Sequence, residues 1–157
     1  IMSDHTLAAT ITPAAKPRSA FCTLLPIPSF KKNTNAEPSA VPKNGIIIYG
    51  DKNRLKQSFV NIIDNSFKYN KKGGTVKVSL KADSKNVIIT ISDNGCGISK
   101  NDLPRVREKF YKANNSVRGS GIGLAVTDEI IKLHNGSLQI DSELDKGTTV
   151  RISLPRR

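Results

Sequence analysis

The residues in this chain that could do chemistry are a few polar side chains set among glycines. In "SDNGCGI" (92–98) one carboxylate, Asp93, precedes Gly95 and Gly97. A carboxylate accepts hydrogen bonds only, so it suits a donor such as the exocyclic amino group of adenine. The glycines open a turn where a ligand can lie against bare backbone. The same letters also spell an ordinary Asp-Asn-Gly connection. In "RGSGIGLAV" (118–126) glycines enter an apolar run. A dinucleotide fingerprint begun at Gly119 needs glycine where Leu124 stands, and a P-loop needs lysine where Gly123 is followed by Leu124. What remains is the physics those motifs share, a backbone that approaches an anion closely at the start of a helix. A tight loop of small residues before a helix explains the stretch equally well.

The elements that must position these residues follow from periodicity. "KNRLKQSFVNIIDNSFKYN" (52–70) predicts a helix capped by Asp51, with Leu55, Phe59, Ile62, Ile63 and Phe67 as its apolar stripe. Asn61, Asn65 and Lys68 fall roughly opposite that stripe, with Tyr69 at the edge. Any surface helix has a polar side, yet two asparagines at i, i+4 are poor helix formers to choose for it. An amide oxygen is a hard, neutral ligand for Mg²⁺, and Lys68 one turn on could reach the same phosphates. "IIIYG" (46–50) predicts a short buried strand, and "GGTVKVSL" and "NVIITIS" a hairpin. A short helix is expected from Ser99, which has capping-box spacing to Asp102. A loop over 111–121, a helix over 122–134 closed by "HNG", and strands at 137–141 and 148–154 complete the order. Helices grouped among antiparallel-type strands argue an α+β two-layer sandwich.

Bulk properties bound the rest. The 157 residues suit one domain with a real core. The net charge of +12 is scattered among both signs, and aromatics are 5%, so the basic balance suits a polyphosphate or an acidic partner and gives no nucleic-acid reading. Cys22 and Cys96 fit no metal spacing or disulfide framework, which predicts free thiols in a reducing compartment. No apolar run is long enough to span a membrane, so no direct membrane contact is expected of this piece, which is read as cytoplasmic even if attached to a membrane-bound sensor. Residues 13–43 hold six of the eight prolines. The first 43 residues therefore read as a poorly ordered leader or linker, and 44–157 as the domain.

Taken together and in order, "NIIDNSFKY", "DNGCGI", "KFYK", "GSGIGLAV" and "KGTTVRISLP" closely resemble the N, G1, F, G2 and G3 boxes of the ATP-binding catalytic domain of sensor histidine kinases. That domain belongs to the GHKL superfamily, with the Hsp90 chaperones, type II topoisomerases and MutL-type mismatch-repair proteins. The resemblance covers residues 46–155. It implies the left-handed-crossover Bergerat fold, a mixed sheet packed under three helices, and ATP with Mg²⁺ as cofactors. It implies that Asn65 ligates Mg²⁺, with Asn61 beside the metal and phosphates, and that Lys68 and Tyr69 flank the nucleotide. Asp93 matches the adenine-recognising carboxylate, with Gly95, Gly97 and Ile98 in the turn that admits the base. Phe110 and Lys112 match the end of the F box. Gly119, Gly121, Gly123 and Leu124 match the segment whose backbone meets the phosphates, and Thr148 closes the adenine pocket.

Two departures matter. Arg107 stands where such kinases commonly have a second phenylalanine, and the lid is short, leaving Arg118 as its candidate cation at the γ-phosphate. Residues 1–43 carry no amphipathic helices able to present a phosphoacceptor, and His5 lacks a helical setting. The resemblance therefore implies a kinase fragment with little turnover alone. Its partners would be a histidine-bearing dimerisation domain of the same kinase and a response regulator. A serine kinase of an anti-sigma antagonist and a non-catalytic ATP-binding gating module are the alternatives. His134 is expected to serve at a helix C-cap.

Overall fold

The computed structural model describes residues 7–11, 46, 48–113 and 119–156. Its elements are β1 (Leu7–Ile11), α1 (Lys52–Lys68), β2 (Val76–Ala82), β3 (Asn86–Asp93), α2 (Gly123–Leu133), β4 (Ser137–Glu143) and β5 (Gly147–Pro155). The strands form one sheet in the order β1-β2-β3-β5-β4.

Helix α1 begins where the carboxylate of Asp51 accepts from the N–H groups of Asn53 and Arg54, at 2.9 and 3.1 Å. Those are two of the orphan donors of the first turn. Leu55, Phe59 and Ile62 are buried against the sheet, as the stripe predicts. Alternation does the same for the strands. In β3, Val87, Ile89 and Ile91 are buried and the residues between them are half-buried. In β5 the inward row is Val150, Ile152 and Leu154. The turn from β2 to β3 is held by Asp83, whose Oδ1 accepts from the N–H groups of Lys85 and Asn86, both at 2.7 Å. Both helices join the sheet's apolar face in one core, with Ile62, Ile91, Ile131, Ile152 and Leu154 almost fully enclosed. Each such side chain contributes about 1.5–3 kcal/mol relative to exposure.

The two-layer sandwich is as expected, but several of its parts differ. The sheet is antiparallel at every pairing rather than mixed. Two helices, not three, cover it among the described residues. The segment from Ser99 makes single helical turns instead, with Leu103 N–H bonding Ser99 O and Val106 N–H bonding Asp102 O. Pro104 has no N–H to continue that ladder, and its ring crowds the carbonyl four residues back. The cap itself forms, since Ser99 Oγ accepts from Asp102 N–H at 3.2 Å. The strand expected at 46–50 is absent among the described residues. Ile46 and Ile48 pack on the core from irregular backbone. A continuous apolar run carries no period and so could not distinguish the two. Conversely, Leu7–Ile11, inside the expected leader, is an edge strand paired antiparallel with β2. Its "LAATI" is poor in strand formers, which hid it.

His134 caps α2, as expected. It does more than that. Its Nδ1 donates to Ile130 O at 2.7 Å, and its Nε2 accepts the N–H of Asp51 at 2.9 Å. One imidazole therefore joins the end of α2 to the start of α1.

Candidate nucleotide site

The inward rows of three neighbouring strands all end in a polar residue at the same end of the sheet. After Val87, Ile89 and Ile91 comes Asp93; Leu154, Ile152 and Val150 lead to Thr148; Leu138 and Ile140 lead to Ser142. Ser142 pairs with Thr148 across β4 and β5, and Ser92, next to Asp93, pairs with Thr149. The core thus stops at a cluster of oxygens.

Asp93 is the centre of that cluster and is half-buried. Its Oδ1 accepts from Gly95 N–H at 3.0 Å and Thr148 N–H at 3.2 Å. Its Oδ2 has no hydrogen-bond partner among the described residues. A carboxylate locked by backbone through one oxygen presents the other as a fixed acceptor. Ser142 Oγ accepts from Ile98 N–H at 2.9 Å, donates to Gly147 O at 2.9 Å and lies 2.9 Å from Thr148 Oγ1.

The loop after Asp93 is held from two sides. Cys96 N–H bonds Tyr69 O, which ties the loop to the end of α1, and Asp145 N–H bonds Cys96 O, which ties it to the β4–β5 turn. Gly97 has φ +65°, and a Cβ there would come within 1.9 Å of Glu143 O. Only glycine fits both requirements. Tyr69 is half-buried, and that burial, with Cys96 nearby, raises its hydroxyl above the usual tyrosine range.

A second group forms where the helices meet. Asn61 Nδ2 donates to Gly123 O at 3.3 Å and contacts Thr127 Oγ1 at 3.5 Å. Asn61 therefore faces α2 instead of standing opposite the apolar stripe. Helix α1 buries one face on the sheet and a flank on α2, and Ser58 is fully buried. Asn65, one turn on, is half-buried, and its amide has no partner among the described residues. Lys68 is exposed.

A third group brackets the stretch expected to form a lid. Phe110 N–H bonds Gly121 O at 3.0 Å, a clasp between the two flanks of that stretch. Phe110 has φ +68° and is 73% exposed. Lys112 and Leu124 are half-buried, Leu124 against the core, and Gly119 is exposed. Arg118 lies outside the described residues.

Several positions that hold this region together carried no clear signal in the sequence. Arg107 Nη2 donates to Leu138 O at 3.0 Å and its Nη1 lies 4.0 Å from Asp128, a buried carboxylate that also pairs with Lys132 at 2.7 Å. The position read as a missing phenylalanine is an anchor between the loop, β4 and α2. Tyr111 donates to Asp102 and stacks under Arg105, whose guanidinium lies 4.2 Å from the ring centroid. The Ser99 and Tyr111 hydroxyls hold the Asp102 carboxyl below the usual carboxylate range. Ser142 likewise went unremarked, because only the strand register sets it against Thr148.

Residues 50–157 match the family described as histidine kinase-, DNA gyrase B-, and HSP90-like ATPase. Sporulation kinase A of Bacillus subtilis (strain 168) is 40% identical over 115 residues, 73% of this chain and 19% of that kinase. The structure of the mycobacterial sensor histidine kinase MprB is similar with a TM-score of 0.63 and 33% identity, covering 70% of this chain and 77% of that one. Full-length ShkA in complex with AMPPNP matches with a TM-score of 0.63 and 25% identity, covering 71% of this chain and 23% of that one. The chain spans from 19% to 31% of the length of its first curated relatives. With a cluster of oxygens at the end of a two-layer sandwich and a family match over residues 50–157, the chain belongs to the histidine kinase-, DNA gyrase B- and HSP90-like ATPases and contains their ATP-binding domain.

Proposed function

We propose that this domain, residues 44–157, binds ATP with Mg²⁺ and donates the γ-phosphoryl group to a histidine on a separate dimerisation domain of the same kinase. A response-regulator aspartate then receives it. The observation that carries this reading is the Asp93 carboxylate, with Oδ1 taken by two backbone N–H groups and Oδ2 free among the described residues. A free, oriented acceptor beside a glycine turn fits the 6-amino group of adenine. The similar ShkA is solved in complex with AMPPNP, which supports a nucleotide at this fold's site.

The half-buried Asn65 amide, unpartnered among the described residues, fits Mg²⁺, which favours neutral and anionic oxygens. When bound, that ion supplies charge neutralisation on the β- and γ-phosphates. Asn61, fixed by Gly123 O, orients the start of α2 beside those phosphates. Lys68, Lys112 and Arg118 supply cations, Tyr69 flanks the nucleotide, and Phe110 with Gly121 anchors the lid. Phosphoryl transfer asks little covalent work of the protein, so these residues position the group while the acceptor brings the nucleophile.

The test mixes the chain with γ-labelled ATP, Mg²⁺ and a helical dimerisation domain carrying its histidine. Acid-labile label on the partner is the expected result. Acid-stable label would instead indicate a serine kinase, and nucleotide binding without transfer a gating module.

A further inference from the structure

The hydrogen bonds around Ser142 leave one choice of donor for every contact. A serine hydroxyl has one proton and two lone pairs. Ile98 N–H, at 2.9 Å, can only donate to Oγ, and Gly147 O, at 2.9 Å, can only accept from it. The single proton of Ser142 is thereby committed to Gly147 O. The remaining 2.9 Å contact, with Thr148 Oγ1, must then be a bond in which Thr148 donates. All three capacities of Ser142 are filled.

The consequence falls on Thr148. With its proton given to Ser142, its hydroxyl keeps only lone pairs for anything else. Thr148 is also joined to Asp93, because its N–H bonds Asp93 Oδ1 at 3.2 Å. The base end of the site therefore offers acceptors from both side chains, Oδ2 of Asp93 and Oγ1 of Thr148, and no hydroxyl donor from either.

We propose that Ser142 is a positioning residue that sets base selectivity: by fixing the Thr148 hydroxyl proton it makes Thr148 an acceptor, and so disfavours a 6-oxo purine relative to a 6-amino purine. This rests on the reading of the site as a nucleotide site. A 6-oxo purine carries a carbonyl where a 6-amino purine carries a donor, so half-buried acceptors facing position 6 lose their partner, and an acceptor left facing an acceptor is costly.

The experiment compares ATP and ITP binding to the 157-residue chain by competition against a fluorescent ATP analogue at fixed Mg²⁺. Wild type should prefer ATP. Ser142→Ala frees the Thr148 proton, so the ATP-to-ITP affinity ratio should fall roughly tenfold, the worth of about one hydrogen bond. Ser142→Thr, which keeps a hydroxyl, should restore the ratio. In a Thr148→Val background, Ser142→Ala should leave the ratio unchanged. A merely structural serine would weaken both nucleotides equally, and that outcome, or an unchanged ratio, overturns the proposal. If Ser142→Ala does not fold by circular dichroism, Ser142→Cys, a weaker donor and acceptor, reads the same ratio at smaller amplitude. A folded wild type that binds neither nucleotide removes the nucleotide reading itself, whereas a wild type that binds ATP and ITP equally removes only the selectivity.

Discussion

At the scale of single residues, the identity of Asp93 divides its labour between two oxygens. Asp93→Asn keeps an oxygen for the Gly95 and Thr148 N–H groups while turning the free oxygen into an amide donor. ATP affinity should fall about 10- to 100-fold, the range for hydrogen bonds to charged groups, with the urea midpoint close to wild type. Titration calorimetry on the folded variant checks it, and a wild-type Kd would end the adenine assignment. Asp93 was legible in the sequence because a carboxylate followed by two glycines ends a strand. Ser142 was not, because a serine in a strand is common. Only the register that sets it against Thr148 gives it partners. Asn61 was found for its amide but set on the wrong side of α1, since periodicity assigns one apolar face and α1 needs a second contact, with α2.

At the scale of elements, the bond from Phe110 N–H to Gly121 O clasps the two ends of the stretch expected to form the lid. Gly121 has φ +70°, and a Cβ there would lie 2.8 Å from Phe110 C and Tyr111 O. Gly121→Ala should therefore open the clasp at a cost of about 1–2 kcal/mol. The expected outcome is weaker ATP binding and faster proteolysis between 110 and 121, with the core spectrum unchanged. Gly123 makes the contrast, because its added Cβ would meet Asn61 at an ordinary 3.6 Å. Gly123→Ala should leave the thermal midpoint of the free protein near wild type and still weaken ATP. Wild-type affinity in that variant would remove Gly123 from the phosphate site. The element boundaries of both helices and of β2 to β5 were close to readable, since long periodic segments declare themselves. The helix from Ser99 was not, because its cap signal was real while Pro104 interrupted the ladder behind it.

At the scale of the whole molecule, acid stability follows from carboxylates spread over the fold. Asp51 is held low first by the Arg54 N–H, Asp83 by the Lys85 and Asn86 N–H groups, and Asp102 by the Ser99 and Tyr111 hydroxyls. Each has a folded-state pKa below its unfolded value of about 3.9. A depressed pKa gives stability that is present above the unfolded value and lost as pH falls through the folded one. Urea midpoints should stay level as these groups are followed down to about pH 5 and drop below about pH 4, and Asp102→Asn should make that drop shallower. A drop of unchanged steepness in Asp102→Asn would remove Asp102 from the account. The sequence by itself determined the two-layer class, the order of α1, the hairpin, α2 and the last two strands, and the types of the nucleotide-binding candidates, because those depend on local period and on chemistry carried within short stretches. Only the tertiary structure decided that the sheet is antiparallel throughout, that Leu7–Ile11 completes its edge, that Arg107 anchors rather than interrupts, and that Ser142 stands behind Thr148. Those facts depend on which strands and loops lie side by side, and side-by-side placement is fixed by burying one shared core.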